Sequence, residues 1–155
     1  MSPEPSPSTR RLDFQGADYF PHENDYRIRA QVTLALGPDE VYERVAEGTN
    51  TRQGHLQAGA LACIRSAMAA TGGRLTLTLR GVQAVPAFKG WAVMVLLTAE
   101  SEDAEYRLVG CSAPPGGDLV RGASLAVLSA TNRVMGRYLE PAEPGDGPAE
   151  PSAAD

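Results

Sequence analysis

His22, His55, Cys63, Cys111, Ser112 and Ser124 are the side chains with which this sequence could move protons, hold a metal or attack a carbonyl. His22 stands in a Pro-flanked polar segment. His55 lies near the start of a helical stretch and has neither His, Cys nor a carboxylate at i+3 or i+4, so the spacing that lets one helix face grip a metal is missing. Ser112 and Ser124 have no base that sequence spacing would bring near them, and neither a nucleophile elbow nor an active-cysteine context occurs. Paired carboxylates, Asp39-Glu40 and Glu102-Asp103, fall in loops. The run PPGGD, residues 114–118, has the glycines of an anion cradle, but the Asp118 carboxylate would occupy the helix N-terminal donors itself and repel a second negative charge. The same carboxylate suits the ammonium of an amino-acid-like ligand. No catalytic constellation emerges; neither a metal nor a cofactor is expected, and the chain reads as a non-enzyme.

The elements that would position these groups follow from periodicity. YRIRAQVTLAL, residues 26–36, alternates strictly, with Ile28, Ala30, Val32, Leu34 and Leu36 on one side, as a strand with one buried face requires. VYERVAEGT, residues 41–49, repeats this more weakly. From Thr51 the period changes to three and four, with abundant Ala and a Gly72-Gly73 stop, which predicts an amphipathic helix of about four turns. Three further strands follow: RLTLTLRGVQAV, then WAVMVLLTA after a hairpin turn centred on Lys89-Gly90, then YRLVGCSA, residues 106–113. Asp118 caps a closing helix, residues 118–139. The expected fold is α+β: one antiparallel sheet of about five strands with two helices on one face, in the order ββα-βββα, a loose duplication of about 45 and 65 residues.

Composition sets the boundaries of that unit. Eight of the 12 Pro lie in residues 1–25 and 140–155, segments with too few bulky apolar groups to offset their ordering entropy. Residues 1–25 are expected to be disordered or loosely docked, residues 26–139 to form a single domain, and residues 140–155 to be a disordered acidic tail. The formal charge of −5 divides into −3, +3 and −5 over these three stretches. Lys89 is the only lysine, so no clustered phosphate footprint exists and nucleic acid is not an expected partner. No apolar run approaches the length of a bilayer span, no signal-peptide order opens the chain, and Cys63 and Cys111 sit in apolar contexts that suit buried thiols; the cytoplasm is the expected location, away from membranes.

Two elements are apolar on more faces than one sheet and one helix layer can cover. In WAVMVLL, Trp91, Val93, Val95 and Leu97 face one way, Met94 and Leu96 the other. In the closing helix, Val120, Leu128 and Met135 lie outside the stripe of Leu119, Ala123, Ala130 and Val134. Large exposed patches seldom persist on a monomer, so Met94, Leu96, Val120, Leu128 and Met135 are expected to form a homodimer interface.

The stretch GCSAPPGGDLVRGASLAVLSATNR, residues 110–133, resembles the C-terminal regulatory, dimerisation domain of alpha-isopropylmalate synthases, in its glycine, small residues, Asp, and a helix bearing Ala-Ser, a further Ala and Asn-Arg. The family's first-repeat turn, Gly-x-Gly-Pro-Val-Asp-Ala, has only Gly48 and Gly54 as counterparts here. The resemblance implies two sheet-plus-helix repeats, pairing as a dimer and an amino-acid-like ligand, with Gly110, Ser112, Asp118 and Asn132 as the ligand-binding residues of a divergent, stand-alone relative. The expected function is a non-enzymatic homodimeric regulatory module that binds a small molecule or modulates a partner protein; the alternative is an interaction adaptor acting through its N-terminal segment or acidic tail.

Overall fold

The computed structural model describes residues 10–139. Within it the chain runs β1 (Asp13–His22), β2 (Arg27–Leu36), β3 (Glu40–Thr49), α1 (Arg52–Ala70), β4 (Thr76–Ala87), β5 (Gly90–Glu100), β6 (Glu105–Ser112), a short 3-10 turn at Pro115–Gly117, α2 (Leu119–Thr131) and a final turn of helix, α3 (Gly136–Leu139). Residues 140–155, read from the sequence as a disordered tail, and residues 1–9 of the expected N-terminal segment lie outside the described residues.

The strands form two antiparallel sheets of three, β1-β2-β3 and β4-β5-β6, and the order is βββα twice over. This corrects the expected single five-stranded sheet with both helices on one face. Part of the reason is β1, which pairs along β2 from Asp13↔Ala35 to His22↔Arg27. Its register slips between Phe14 and Gly16, so no alternation runs through DFQGADYFPH, and it is held by backbone pairing on a sheet edge more than by buried side chains. The rest lies in α1, which carries the chain from β3 into a separate sheet. Leu56, Ala58, Gly59, Ala60, Ala62, Cys63, Ile64, Ser66 and Ala67 are all buried, covering more than one side of that helix. It packs on β2 and β3, on α2, and on β4 of the other sheet; α2 in turn packs on β5, β6 and β1. Each helix thus lies on its own repeat's sheet and touches the first strand of the other repeat.

Close approach between the helices depends on missing side chains. A methyl group on Gly59 would collide with the Val120 backbone. Ser124 seals the crossing: its hydroxyl shares its one proton between the Val120 carbonyl, one turn back at 2.9 Å, and the Gly59 carbonyl across the gap at 3.1 Å. At the next turn the Cys63 thiol donates to the Ser124 carbonyl, 3.4 Å away.

The closing helix is also shorter than its pattern predicts. α2 stops at Thr131 with Asn132 as its C-cap, and Val134 and Met135 both donate their amides to the Thr131 carbonyl before α3 begins. The break turns Met135, Tyr138 and Leu139 into the core. The β4–β5 turn is centred on Phe88 and Lys89, one residue earlier than expected; both take the left-handed backbone of a tight hairpin, at φ +54° and +61°. None of the helices is long and apolar enough to cross a membrane among the described residues.

Candidate functional site

Residues expected to converge on a ligand are spread along α2. Gly110, on β6, faces the helix so closely that a Cβ there would collide with the Ala126 carbonyl and with Ala130. Ser112, two residues on and on the same face of β6, donates its hydroxyl to the Gly122 carbonyl at 2.6 Å. Asp118 caps the helix, accepting from the Arg121 amide at 3.1 Å. Asn132 stands at the other end, about 20 Å away by helix rise. Its Nδ2 donates to the Leu12 carbonyl at 3.4 Å, and its Oδ1 is buried with no hydrogen-bond partner. Gly110, Ser112 and Asp118 therefore seat the first half of α2 on its sheet, and Asn132 ties its end to the chain entering β1. They do not line one pocket.

The two candidate nucleophiles and the buried thiol are likewise absorbed in packing. The Ser112 and Ser124 hydroxyls are committed to main-chain carbonyls. Cys63 is fully enclosed, and burial pushes its thiol up to about 12, so it stays protonated. Cys111 lies on the exposed face of β6. Among the described residues, no three His, Cys, Asp or Glu side chains come together as a metal site.

A grouping that spacing could not reveal surrounds His55. Its Nε2 lies 2.8 Å from Asn50 Oδ1, and the Tyr19 ring meets it edge-on at 4.7 Å. Partial burial holds its pKa below that of a free imidazole, with the Asp118 carboxylate pulling part of the way back. Tyr19 comes from β1 and Asp118 from α2, so only the tertiary fold assembles this cluster. Nearby, the Arg52 guanidinium stacks over Trp91 at 4.6 Å and Arg121 over Phe14 at 4.9 Å, fastening the start of each helix to the opposite repeat.

The expected subunit interface divides in two. Val120 and Met135 are fully enclosed within the single chain and Leu128 is only 7% exposed, because α1, both sheets and the break after Thr131 cover α2 on all but the stripe of Arg121, Leu125 and Ser129. These three have no surface to offer a second copy. Met94 and Leu96 differ: they stand half-buried on the outer face of β5, while Val93, Val95, Leu97 and Ala99 fill the inner face. Met94 is flanked by Gln83 and Cys111, and Leu96 by Gly81 and Val109. Space above Gly81 is open, and with its neighbours it makes a groove of about 500 Å³ lined by Gln83, Met94, Leu96, Arg107 and Val109. Val109 is 46% exposed.

The outer face of the first sheet mixes ion pairs with apolar groups, for Phe20, Val41 and Val45 stand exposed on it. There β2 presents Arg27, Arg29, Gln31 and Thr33; Arg29 pairs with Glu47 at 3.0 Å and Thr33 donates to Glu43 at 2.9 Å. Two repeats with the same order of elements thus carry outer faces that differ in ion pairing more than in apolar exposure. Compared with known proteins, the chain matches no family model and no curated sequence.

Proposed function

We propose that this chain is a non-enzymatic homodimeric regulatory module, which binds a small amino-acid-like molecule or modulates a partner protein through the state of its dimer. The observation that carries the reading is the apolar outer face of β5 and β6, where Met94, Leu96, Val109 and Cys111 adjoin as neighbouring outward positions. Fully burying a large aliphatic side chain contributes about 1.5–3 kcal/mol, so covering the exposed parts of Met94, Leu96 and Val109 in both copies supplies a few kcal/mol toward association. The twice-repeated βββα order supports the likeness to the regulatory domain of alpha-isopropylmalate synthases, and with it the ligand class. Commitment of the Ser112 and Ser124 hydroxyls to the backbone supports the absence of an acyl-transfer chemistry.

Light scattering on the full chain at micromolar concentration, run beside a thermal-shift screen of amino acids, tests both halves. The reading predicts a mass twice that of the chain and a rise in melting temperature with an amino acid, since any ligand favouring the folded dimer stabilises it by linkage. A monomer over the whole concentration range contradicts it.

A further inference from the structure

Resting on that pairing, we infer that two copies stack sheet on sheet through the outer faces of β4, β5 and β6, related by a two-fold axis that lies between the sheets and crosses the strands at right angles. Such an axis reverses strand direction while placing β5 over β5 and β6 over β6.

The apolar patch and the charges around it both select this arrangement. Outward positions along β5 run Gly90, Ala92, Met94, Leu96, Thr98 and Glu100, with Val85, Gln83, Gly81, Thr78 and Thr76 alongside on β4 and Cys111, Val109, Arg107 and Glu105 on β6. The patch is centred between Met94 and Leu96. An axis at that level sets Leu96 over the partner's Met94, Val109 over the partner's Cys111, and the open space at Gly81 over the partner's Gln83, with every contact made twice.

One end of the sheet is the hairpin tip, with Lys89 exposed. The opposite end holds Glu100, Glu102, Asp103 and Glu105, all exposed. Reversal brings Glu100 to the level of the partner's Gly90, beside the partner's Lys89. Arg107, level with Thr98, lies over the partner's β6 strand line at the level of the partner's Ala92, roughly 20 Å along the strands from the partner's Arg107. An axis parallel to the strands would instead lay the acidic end on the acidic end and β6, with Arg107, over the partner's β4, with Arg80; like charges opposed in this way disfavour pairing.

The face is also large enough. Three strands about 4.8 Å apart and a central strand of 11 residues make a footprint about 14 Å by 35 Å, or about 500 Å² per copy before corrugation is counted. Two copies together reach about 1,000 Å², the lower bound for a specific interface. Sheets stacked face to face in this way lie about 10 Å apart with their strands nearly aligned.

Charge reversal in the full chain tests the register. Lys89→Glu and Glu100→Lys are each expected to raise the dimer dissociation constant about tenfold, by turning two exposed ion pairs into two repulsions, and the double reversal to bring it back near the wild-type value. If the double reversal pairs as weakly as the two single changes combined, while Leu96→Asp still abolishes the dimer, this register is overturned and the pairing reading stands. A wild-type chain that stays monomeric overturns both.

Discussion

The Ser124 hydroxyl reaches the Gly59 carbonyl across 3.1 Å, joining the second helix to the first at a position that has no side chain. This bond links the two repeats at the centre of the molecule. It exists because Gly59 lets the Val120 backbone come within contact distance.

Gly59→Ala should therefore destabilise the fold, although alanine is the better helix former by about 1 kcal/mol. The added methyl must push the helices apart, and overpacking of a tight core costs about 1–3 kcal/mol, so a net loss of about 1 kcal/mol, and at most about 2, is expected. Urea unfolding followed by circular dichroism measures it; an unchanged or raised midpoint would show that the helices are not pinned here.

Asp118→Ala should cost about 1 kcal/mol in the same assay, and Asp118→Asn much less, because the side chain's task is to accept from the Arg121 amide. Equal losses for the two variants would show that the carboxylate charge matters beyond the cap.

The two thiols should separate cleanly. Cys111 is exposed and Cys63 is enclosed with its pKa pushed up to about 12, so one thiol reacts with a disulfide reagent in native buffer and the second only on unfolding. The proposed pairing through β5 and β6 would cover Cys111, so under it the reaction should slow as protein concentration rises. Two fast native thiols would contradict the packing around Cys63.

His55 sets a pH dependence with a defined sign. Burial lowers its folded-state pKa, so as pH falls below about 6.5 the unfolded chain takes up a proton that the folded chain still refuses. Stability is therefore fully present above that pH and declines as acidification proceeds toward the folded pKa. His55→Gln should flatten this part of the profile of urea midpoints; a slope identical to wild type would mean that the imidazole near Asn50 and Tyr19 is not desolvated.

How far these relationships can be read from the amino-acid order depends on what the chain encodes locally. Strict alternation in RIRAQVTLAL places Ile28, Ala30, Val32 and Leu34 on the buried face, and the apolar doubling of WAVMVLL marks Met94 and Leu96 as a second apolar face. Periodicity says which side of a strand is buried but not which strand it pairs with, so six strands in two sheets are indistinguishable from a single sheet. β1 is hidden because an edge strand with a bulge near Gly16 needs no alternation to pair. The end of α2 is hidden for another reason: ATNRVMGRYL carries helical side chains, and the turn after Asn132 is imposed by the burial of Met135 and Leu139 against the rest of the fold. That turn, with the crossing of α1 over α2, also explains why Val120, Leu128 and Met135 are covered within one chain. The ligand residues inferred from a likeness in residues 110–133 turn out to hold α2 in place, because small residues that admit a ligand and small residues that admit a helix look alike in one dimension.

Sedimentation equilibrium of the wild-type chain beside Leu96→Asp tests self-association most directly. Pairing through the outer face of β5 predicts a dimer mass for wild type, a monomer mass for the variant, and unfolding curves for monomeric Leu96→Asp that remain cooperative, since the substituted side chain faces outward. A wild-type chain that sediments as a monomer at all concentrations, or a variant that dimerises as tightly as wild type, would contradict it.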